Sequence, residues 1–182
     1  MSDQREVFVL SRRAPSFEAR RCFLDVAAFV AARLPHAELE HVGSTAVPGC
    51  LTKGDVDVLV RVSRGDFPQS QIVLDDLLVR SARNERTGDY AEYEYSNDGL
   101  AASVQLCEAG GWHDRHFHGL KAILESDPEA LRKYNALKSR FDGHAMAEYR
   151  LAKAELIESL LAAWDAGNTR GVHSALRPGI HG

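Results

Sequence analysis

Two aspartates one residue apart, Asp55 and Asp57, have the most distinctive chemistry in this sequence. They open the string DVDVLVRV, whose alternation is typical of a β-strand over Asp55–Val62. Successive side chains point to opposite faces of a strand, so both carboxylates are expected on one face and the four valines on the other. Two carboxylates that close repel each other unless a cation neutralises them, and Mg²⁺ prefers oxygen ligands. We therefore predict that Asp55 and Asp57 are metal ligands and catalytic residues.

A glycine-serine turn precedes the aspartates. Gly43 and Ser44 follow a short predicted strand, and Asp55 comes eleven positions after Ser44. Glycine lets backbone amides approach a phosphate closely, and a serine hydroxyl can donate a hydrogen bond to it. We predict that Gly43, Ser44 and Thr45 bind phosphate, and that Lys53 helps to neutralise triphosphate oxygens.

This turn followed by an aspartate pair resembles the nucleotidyltransferase superfamily that includes DNA polymerase beta. Within it, the string HVGSTAVPG followed by Lys53 resembles the GrpB family of small nucleotidyltransferase-like proteins. The resemblance implies a nucleotidyltransferase-like core, Mg²⁺ as cofactor and a nucleoside triphosphate as partner. It also implies that His116 and Lys121 lie at the nucleotide cleft. The likeness covers roughly Leu39 to Ile157 and includes Trp112, His116, Asp127, Pro128, Tyr134, Leu137, Lys138, Tyr149, Lys153 and Ile157.

The aspartate register departs in part from the family pattern. When this sequence is aligned with the family pattern without gaps, Asp57 matches the first family carboxylate. Leu59 stands where the second is often found, and Asp55 is additional. Asp57 is therefore the stronger candidate. Catalysis in the superfamily normally needs a third carboxylate on a later strand. The predicted strand Leu100–Glu108 offers no acidic side chain on its polar face, so Glu92 or Glu94 on the adjacent hairpin arm is the alternative.

Three histidines, His113, His116 and His118, form an H-x-x-H-x-H cluster. On a helix only side chains three or four positions apart face together, so His113 and His116 can pair while His118 points elsewhere. A metal site would need further ligands, and none is evident. We therefore favour a structural role for the cluster as a whole.

Two classes of function are consistent with these motifs. The first is nucleotidyl transfer from Mg²⁺–NTP to a small-molecule or protein hydroxyl. The second is a catalytically inactive module that binds a nucleotide or another ligand, which the missing third carboxylate favours. Some GrpB relatives resemble fusions to dephospho-coenzyme A kinase, so the resemblance also implies an accessory role in coenzyme A metabolism.

Composition restricts the partners and the compartment. The 182 residues are 45% hydrophobic and 26% charged, which is ordinary for a globular domain with a core. The net charge of −4 provides no overall attraction for nucleic acid. Three scattered cysteines and no apolar signal or membrane segment favour a soluble cytoplasmic protein with reduced thiols.

The remaining patterns predict an α+β fold: a mixed sheet of four or five strands with helices on one side. A strand over Glu6–Leu10 and helices over Ser16–Leu34 and Ile72–Ala82 are expected in the N-terminal half. A hairpin and three consecutive helices follow in the C-terminal half. We predict one domain over residues 1–166 and a flexible tail over 167–182. The hairpin strands are Tyr90–Ser96 and Leu100–Glu108, and the helices are Trp112–Ser126, Pro128–Phe141 and Ala145–Asp165.

Overall fold

The fold is α+β, as predicted, in the computed structural model, which describes residues 6–11, 16–82 and 87–175. A five-stranded mixed sheet has the strand order β1-β2-β5-β4-β3, in which only β2 and β5 run parallel. Strand β2 thus lies inside the sheet, between two hydrogen-bonded neighbours. The strands are β1 (Glu38–Val42), β2 (Asp57–Val62), β3 (Val79–Arg80), β4 (Tyr90–Asn97) and β5 (Leu100–Glu108).

One face of the sheet packs against the two N-terminal helices, α1 (Ser16–Ala31) and α2 (Phe67–Leu77). The strands contribute every second side chain to this core, as their alternation predicts. In β2 the contributing residues are Val58, Val60 and Val62, which are buried almost completely. The carboxylate of Asp57 therefore lies on the opposite face.

That opposite face is covered by the C-terminal helical half, so helices flank both sides of the sheet. The expectation of helices on one side was wrong, because both faces of the sheet carry apolar residues. Leu59 of β2 and Tyr90 of β4 pack there with Phe117. The helical half contains α3 (Trp112–Asp114), a π-helical turn (Arg115–Gly119), α4 (Leu120–Ser126), α5 (Pro128–Phe141) and α6 (Met146–Ala175).

Several boundaries differ from the sequence predictions. Strand β2 begins at Asp57 rather than Asp55. Its pairing with β1 extends no further toward the N-terminus than Asp57, which lies opposite Val42. Helix α2 begins at Phe67, with Pro68 in its first turn, where proline costs no hydrogen bond. The N-terminal segment forms only an isolated bridge from Val7 to Ala145 instead of a strand.

The C-terminal helix is longer than predicted. Helix α6 continues to Ala175, and residues 176–182 lie outside the described residues. The division into a domain ending at 166 and a flexible tail stays a prediction. Among the described helices, none has the length and apolar character needed to cross a membrane.

Candidate functional site

The turn at Gly43 lies directly against Asp57. A Cβ atom placed on Gly43 would be 2.3 Å from Asp57 Oδ2, closer than side-chain carbons approach any atom. Gly43 also has φ +72° and ψ −171°, a conformation that is essentially confined to glycine. The glycine therefore lets the backbone reach the carboxylate, and it leads into a short 3₁₀ turn over Ser44–Ala46.

Asp57 is enclosed by groups from two neighbouring strands, one helix and the loop that precedes β2. Gln105 of β5 donates a hydrogen bond from Nε2 to Asp57 Oδ1 at 3.2 Å. Burial raises the pKa of Asp57, and the nearby carboxylates of Asp55 and Glu92 raise it further, while Lys153 and the Gln105 amide act to lower it. Binding a cation would remove the unfavourable charge.

Asp55 does not share the strand face with Asp57, which corrects the first prediction. The β1–β2 ladder ends at Asp57, so Asp55 lies in the preceding loop. Its carboxylate forms an ion pair with Lys53 (Nζ to Oδ2, 2.7 Å), and 56% of its side chain is exposed. Even so, Asp55, Asp57 and Lys53 border the same small cavity.

Ser44 and Thr45 have different surroundings. The Thr45 hydroxyl donates to the backbone carbonyl of Asp55 at 2.9 Å and is hydrogen-bonded to His41 Nε2 at 3.0 Å, so it holds the loop together. The Ser44 hydroxyl accepts a hydrogen bond from Lys138 Nζ and borders open space. Ser44 is thus placed to contact a ligand, whereas the predicted phosphate contact of Thr45 competes with two internal partners.

Two cavities meet at this point. The larger, of about 510 Å³, lies between the sheet and the C-terminal helices, and aromatic side chains line much of it. The smaller, of about 150 Å³, is lined mostly by charged and polar side chains. The residues that border both are Ser44, Asp57, Arg150 and Lys153.

His116 and Lys121 line the larger cavity together with Asp57, as the cleft prediction requires. Lys121 Nζ lies 2.9 Å from Glu40 Oε1 and 3.6 Å from Glu125 Oε1, so its charge is matched within the protein. His116 stacks on Trp112 with 3.6 Å between ring centroids. Their phosphate-binding role stays a prediction, and the existing ion pairs of Lys121 weigh against it.

The three histidines have three different sets of contacts. His113 stacks on Tyr90 at 3.9 Å, His116 lies 2.8 Å from a Glu158 oxygen, and His118 lies 2.6 Å from a Glu40 oxygen. The π-helical turn spreads them in this way, because it adds one residue to the turn. Among residues 6–11, 16–82 and 87–175, no three His, Cys, Asp or Glu side chains form a metal-binding group.

A third carboxylate was sought on β5, where Ser103 is paired with Asp57 and Gln105, two residues further on, contacts the Asp57 carboxylate; neither is acidic. The neighbouring acidic residue is Glu92 of β4, directly across the ladder from Gln105. Glu92 is only 7% exposed and lines the larger cavity with Asp57. Of the two glutamates considered from the sequence, Glu92 points into the cleft and Glu94 is exposed.

Comparison with known proteins identifies the family of this chain. The family model described as GrpB protein matches residues 11–163. The chain belongs to the GrpB family. It is 32% identical over 133 residues to a UPF0157 protein of Vibrio cholerae serotype O1, covering 72% of this chain and 70% of the relative.

Solved structures of similar fold include another family member. The crystal structure of GrpB from Enterococcus faecalis superimposes with a TM-score of 0.62 at 16% identity, covering 82% of this chain and 96% of that one, which shows a shared fold. A Cid1 poly(U) polymerase crystallised with MgATP gives a TM-score of 0.45 at 16% identity, covering 71% of this chain and 42% of that one.

Lys138 of this GrpB family member borders the smaller cavity, although the sequence analysis did not select it as a candidate site residue. Its side chain is 1% exposed, and its ammonium group donates to Ser44 Oγ and to the Leu51 carbonyl oxygen (2.5 Å). It also lies 4.2 Å from the centre of the Tyr134 ring. In the sequence, the indication that Lys138 is buried was its helical spacing from the apolar residues of α5. The buried residues of α5 are Ala130, Tyr134, Lys138 and Phe141.

The burial of Lys138 predicts a pH dependence of stability. Desolvation lowers the pKa of Lys138 from 10.5 to about 8. Between those values the unfolded chain retains a proton that the folded protein has released, so the free energy of unfolding should rise with pH across this window. The full rise is roughly 3 kcal/mol at 1.36 kcal/mol per pKa unit.

The measurement is urea denaturation at several pH values from 7.5 to 10.5, for the wild type and for Lys138→Met. Burial also raises the pKa of Tyr134 and Tyr149, and because this contribution is common to both proteins, subtraction isolates the lysine. The difference in unfolding free energy, wild type minus variant, should increase with pH. A difference that is constant across the window would show that Lys138 is not desolvated in solution.

Lys153 is the second residue that sequence reasoning did not assign to the site. It lies on α6 and borders both cavities. Its charge favours the ionised form of Asp57. Within the described parts of the chain, no residue forms a hydrogen bond or an ion pair with Lys153. Its ammonium group is therefore available to a ligand.

Proposed function

We propose that this GrpB family member binds a nucleoside triphosphate together with Mg²⁺ in the cleft between the sheet and the C-terminal helices. The observation that carries the proposal is the position of Asp57. Its carboxylate is enclosed against the Gly43 turn, where an aromatic-lined cavity meets a cavity lined by cationic groups. A nucleotide has the same two parts, a planar base and an anionic chain.

The oxygen donors present fit one Mg²⁺ ion. Mg²⁺ in nucleotide sites is usually held by one or two carboxylates plus substrate phosphates, and Asp57 with Asp55 can provide this set. When bound, the ion neutralises charge on the phosphates. The same residues do not fit a second ion, because Gln105 provides an amide where a further carboxylate would be needed.

The larger cavity suits the base and sugar. Its volume of about 510 Å³ lies within the usual range for small-molecule sites. Trp112 borders this cavity and is 57% exposed, and an aromatic surface of this kind can stack on any nucleobase with little sequence preference. The identity of the base is therefore not specified by stacking alone.

Nucleotidyl transfer is a second candidate function, and Glu92 is the observation that favours it. A buried carboxylate in the same cavity as Asp57 could accept the proton of an attacking hydroxyl. Without such a base, the protein is a binding module. Release of pyrophosphate from an NTP separates the two functions, because only the transferase produces it.

Titration calorimetry with the full chain tests nucleotide binding. We expect heat of binding for at least one of ATP, GTP, CTP and UTP in the presence of Mg²⁺, with affinity about tenfold or more weaker in EDTA. The reason is electrostatic, since a triphosphate and two carboxylates repel by several kcal/mol at an effective dielectric near 20. No binding of any of the four, or equal binding in EDTA, would refute the proposal.

A further inference from the structure

A thiol and a buried amine are in direct contact in this structure. Cys50 belongs to the loop between the 3₁₀ turn and β2, and Lys138 lies on α5, 88 positions later in the chain. Lys138 Nζ lies 3.4 Å from Cys50 Sγ. Both groups also donate to one acceptor, the Leu51 carbonyl oxygen, Lys138 at 2.5 Å and Cys50 at 3.5 Å. The shared acceptor keeps the nitrogen and the sulfur side by side.

Cys50 is the cysteine that a small oxidant can reach. All three cysteines of the chain are free thiols. Cys22 is 3% exposed and Cys107 is completely buried, whereas Cys50 is only half-buried. The oxidation of a thiol to a sulfenic acid depends on such access. Hydrogen peroxide should therefore oxidise Cys50 before the two core cysteines.

Lys138 provides a nucleophile beside this sulfur. Its hydrogen-bond acceptors are uncharged groups, the Ser44 hydroxyl, the Leu51 carbonyl and the Cys50 thiol. Burial lowers the pKa of Lys138 to about 8, so the neutral amine is well populated near that pH. Only the neutral amine has a lone pair that can attack an electrophile. Once Cys50 is oxidised, its sulfur is an electrophile within reach of this amine.

We propose that hydrogen peroxide links Cys50 to Lys138 through a reversible sulfur–nitrogen bond, a sulfenamide. The Cys50 sulfur first attacks peroxide, the O–O bond breaks, one water molecule leaves and the sulfur becomes a sulfenic acid. The Lys138 nitrogen then attacks that sulfur, the S–O bond breaks, and the departing hydroxide takes a proton from the nitrogen to form a second water. Sulfur loses two electrons and peroxide gains them. A dithiol reverses the reaction and restores the thiol and the amine.

The cross-link couples oxidation to the candidate site. It joins the loop before β2 to α5, and it replaces the ammonium group that contacts the Ser44 hydroxyl with a weakly basic nitrogen. Ser44 borders both cavities, so the change occurs where the two cavities meet. The reaction itself needs no nucleotide and does not depend on the proposed function.

The test is mass spectrometry of the full chain after treatment with hydrogen peroxide. The intact mass should fall by about 2 Da and return after dithiothreitol, because a sulfenamide has lost two hydrogen atoms. Trypsin digestion without reductant should give residues 34–53 joined to residues 134–140, since trypsin does not cleave after a modified lysine. This linked peptide should be absent in Cys50→Ser and Lys138→Met. It should be unchanged in the matched control Lys133→Met, which removes an exposed lysine of α5.

Three results would overturn the cross-link. Recovery of Cys50 only as a sulfenic or sulfinic acid, with a mass gain of about 16 or 32 Da, would show that the amine does not attack. A mass loss of about 2 Da that persists in Lys138→Met would indicate a disulfide or a bond to a backbone nitrogen. A linked peptide that retains an oxygen atom would contradict the direct bond. Thermal unfolding checks that the variants are folded, and the peptide map of the wild type tests the cross-link without them.

Discussion

Asp57→Asn is expected to weaken Mg²⁺–ATP binding by about tenfold or more, or at least about 1.4 kcal/mol. The substitution keeps the shape of the side chain and an oxygen that can accept from Gln105 Nε2. It removes the charge that would hold the metal ion. Titration calorimetry of the two proteins at one Mg²⁺ concentration measures the difference.

The same variant should be as stable as the wild type without ligand, or more stable. The pKa of Asp57 in the folded protein is raised above the ordinary value of 3.8. The folded state therefore keeps a proton longer than the unfolded chain, and the free energy of unfolding falls as pH rises through that window. At neutral pH the ionised carboxylate is destabilising, and asparagine cannot ionise.

Asp55→Asn is the matched control for this prediction. Asp55 is more exposed and already paired with Lys53, so its loss should lower nucleotide affinity less than the loss of Asp57. Equal effects of the two variants would mean that the enclosed position of Asp57 has no special role. Unchanged affinity of Asp57→Asn for Mg²⁺–ATP would show that Asp57 does not hold a metal ion in the proposed site.

Gly43→Ala is expected to have the largest combined effect, destabilising the fold by about 3 kcal/mol and abolishing measurable nucleotide binding. Backbone strain at this φ and ψ costs about 1–3 kcal/mol. In addition, the new methyl group would lie 2.3 Å from Asp57 Oδ2 and 3.3 Å from Asp57 Cβ, so the carboxylate or the turn must move. Either movement separates the two halves of the site.

Gly49→Ala separates backbone strain from the clash. Gly49 has φ +75°, but a Cβ atom there meets only Leu131 Cδ2, at 3.8 Å. This control should be destabilised and should still bind nucleotide. Chemical denaturation and calorimetry on both variants provide the comparison. Similar nucleotide affinities in the two variants would show that close approach to Asp57 is not required for binding.

The sequence predicted the α+β class and the contact between the Gly43 turn and Asp57, but not the helices on both faces of the sheet. Alternation along Asp57–Val62 correctly assigned the valines to one core and Asp57 to the opposite face. The resemblance of the Gly43-Ser44 turn and the aspartates to a superfamily pattern correctly implied that the turn lies beside Asp57. These features depend on patterns between residues close in the chain, and such patterns can be recognised in a single sequence.

The remainder of the site depends on contacts between distant segments. Asp55 was placed on the strand because its string alternates, but strand length is decided by pairing with β1, which ends at Val42. Lys138 and Lys153 were not selected as site residues, since helical periodicity cannot show which other element a helical side chain contacts. Glu92 was only an alternative candidate for the third carboxylate, because the sequence of one strand does not show which strands are its neighbours in the sheet.

The contact between Lys138 and Ser44 joins residues 94 positions apart, and this separation has a consequence for how the protein is made. At translation rates of about 5–20 residues per second, Ser44 leaves the ribosome about 5–20 s before Lys138. Within that interval Leu59 leaves the ribosome about 3–12 s before Phe117, the helical residue that packs over it. The nascent chain thus passes through a stage in which this face of the sheet is an exposed apolar surface, open to chaperones and to aggregation.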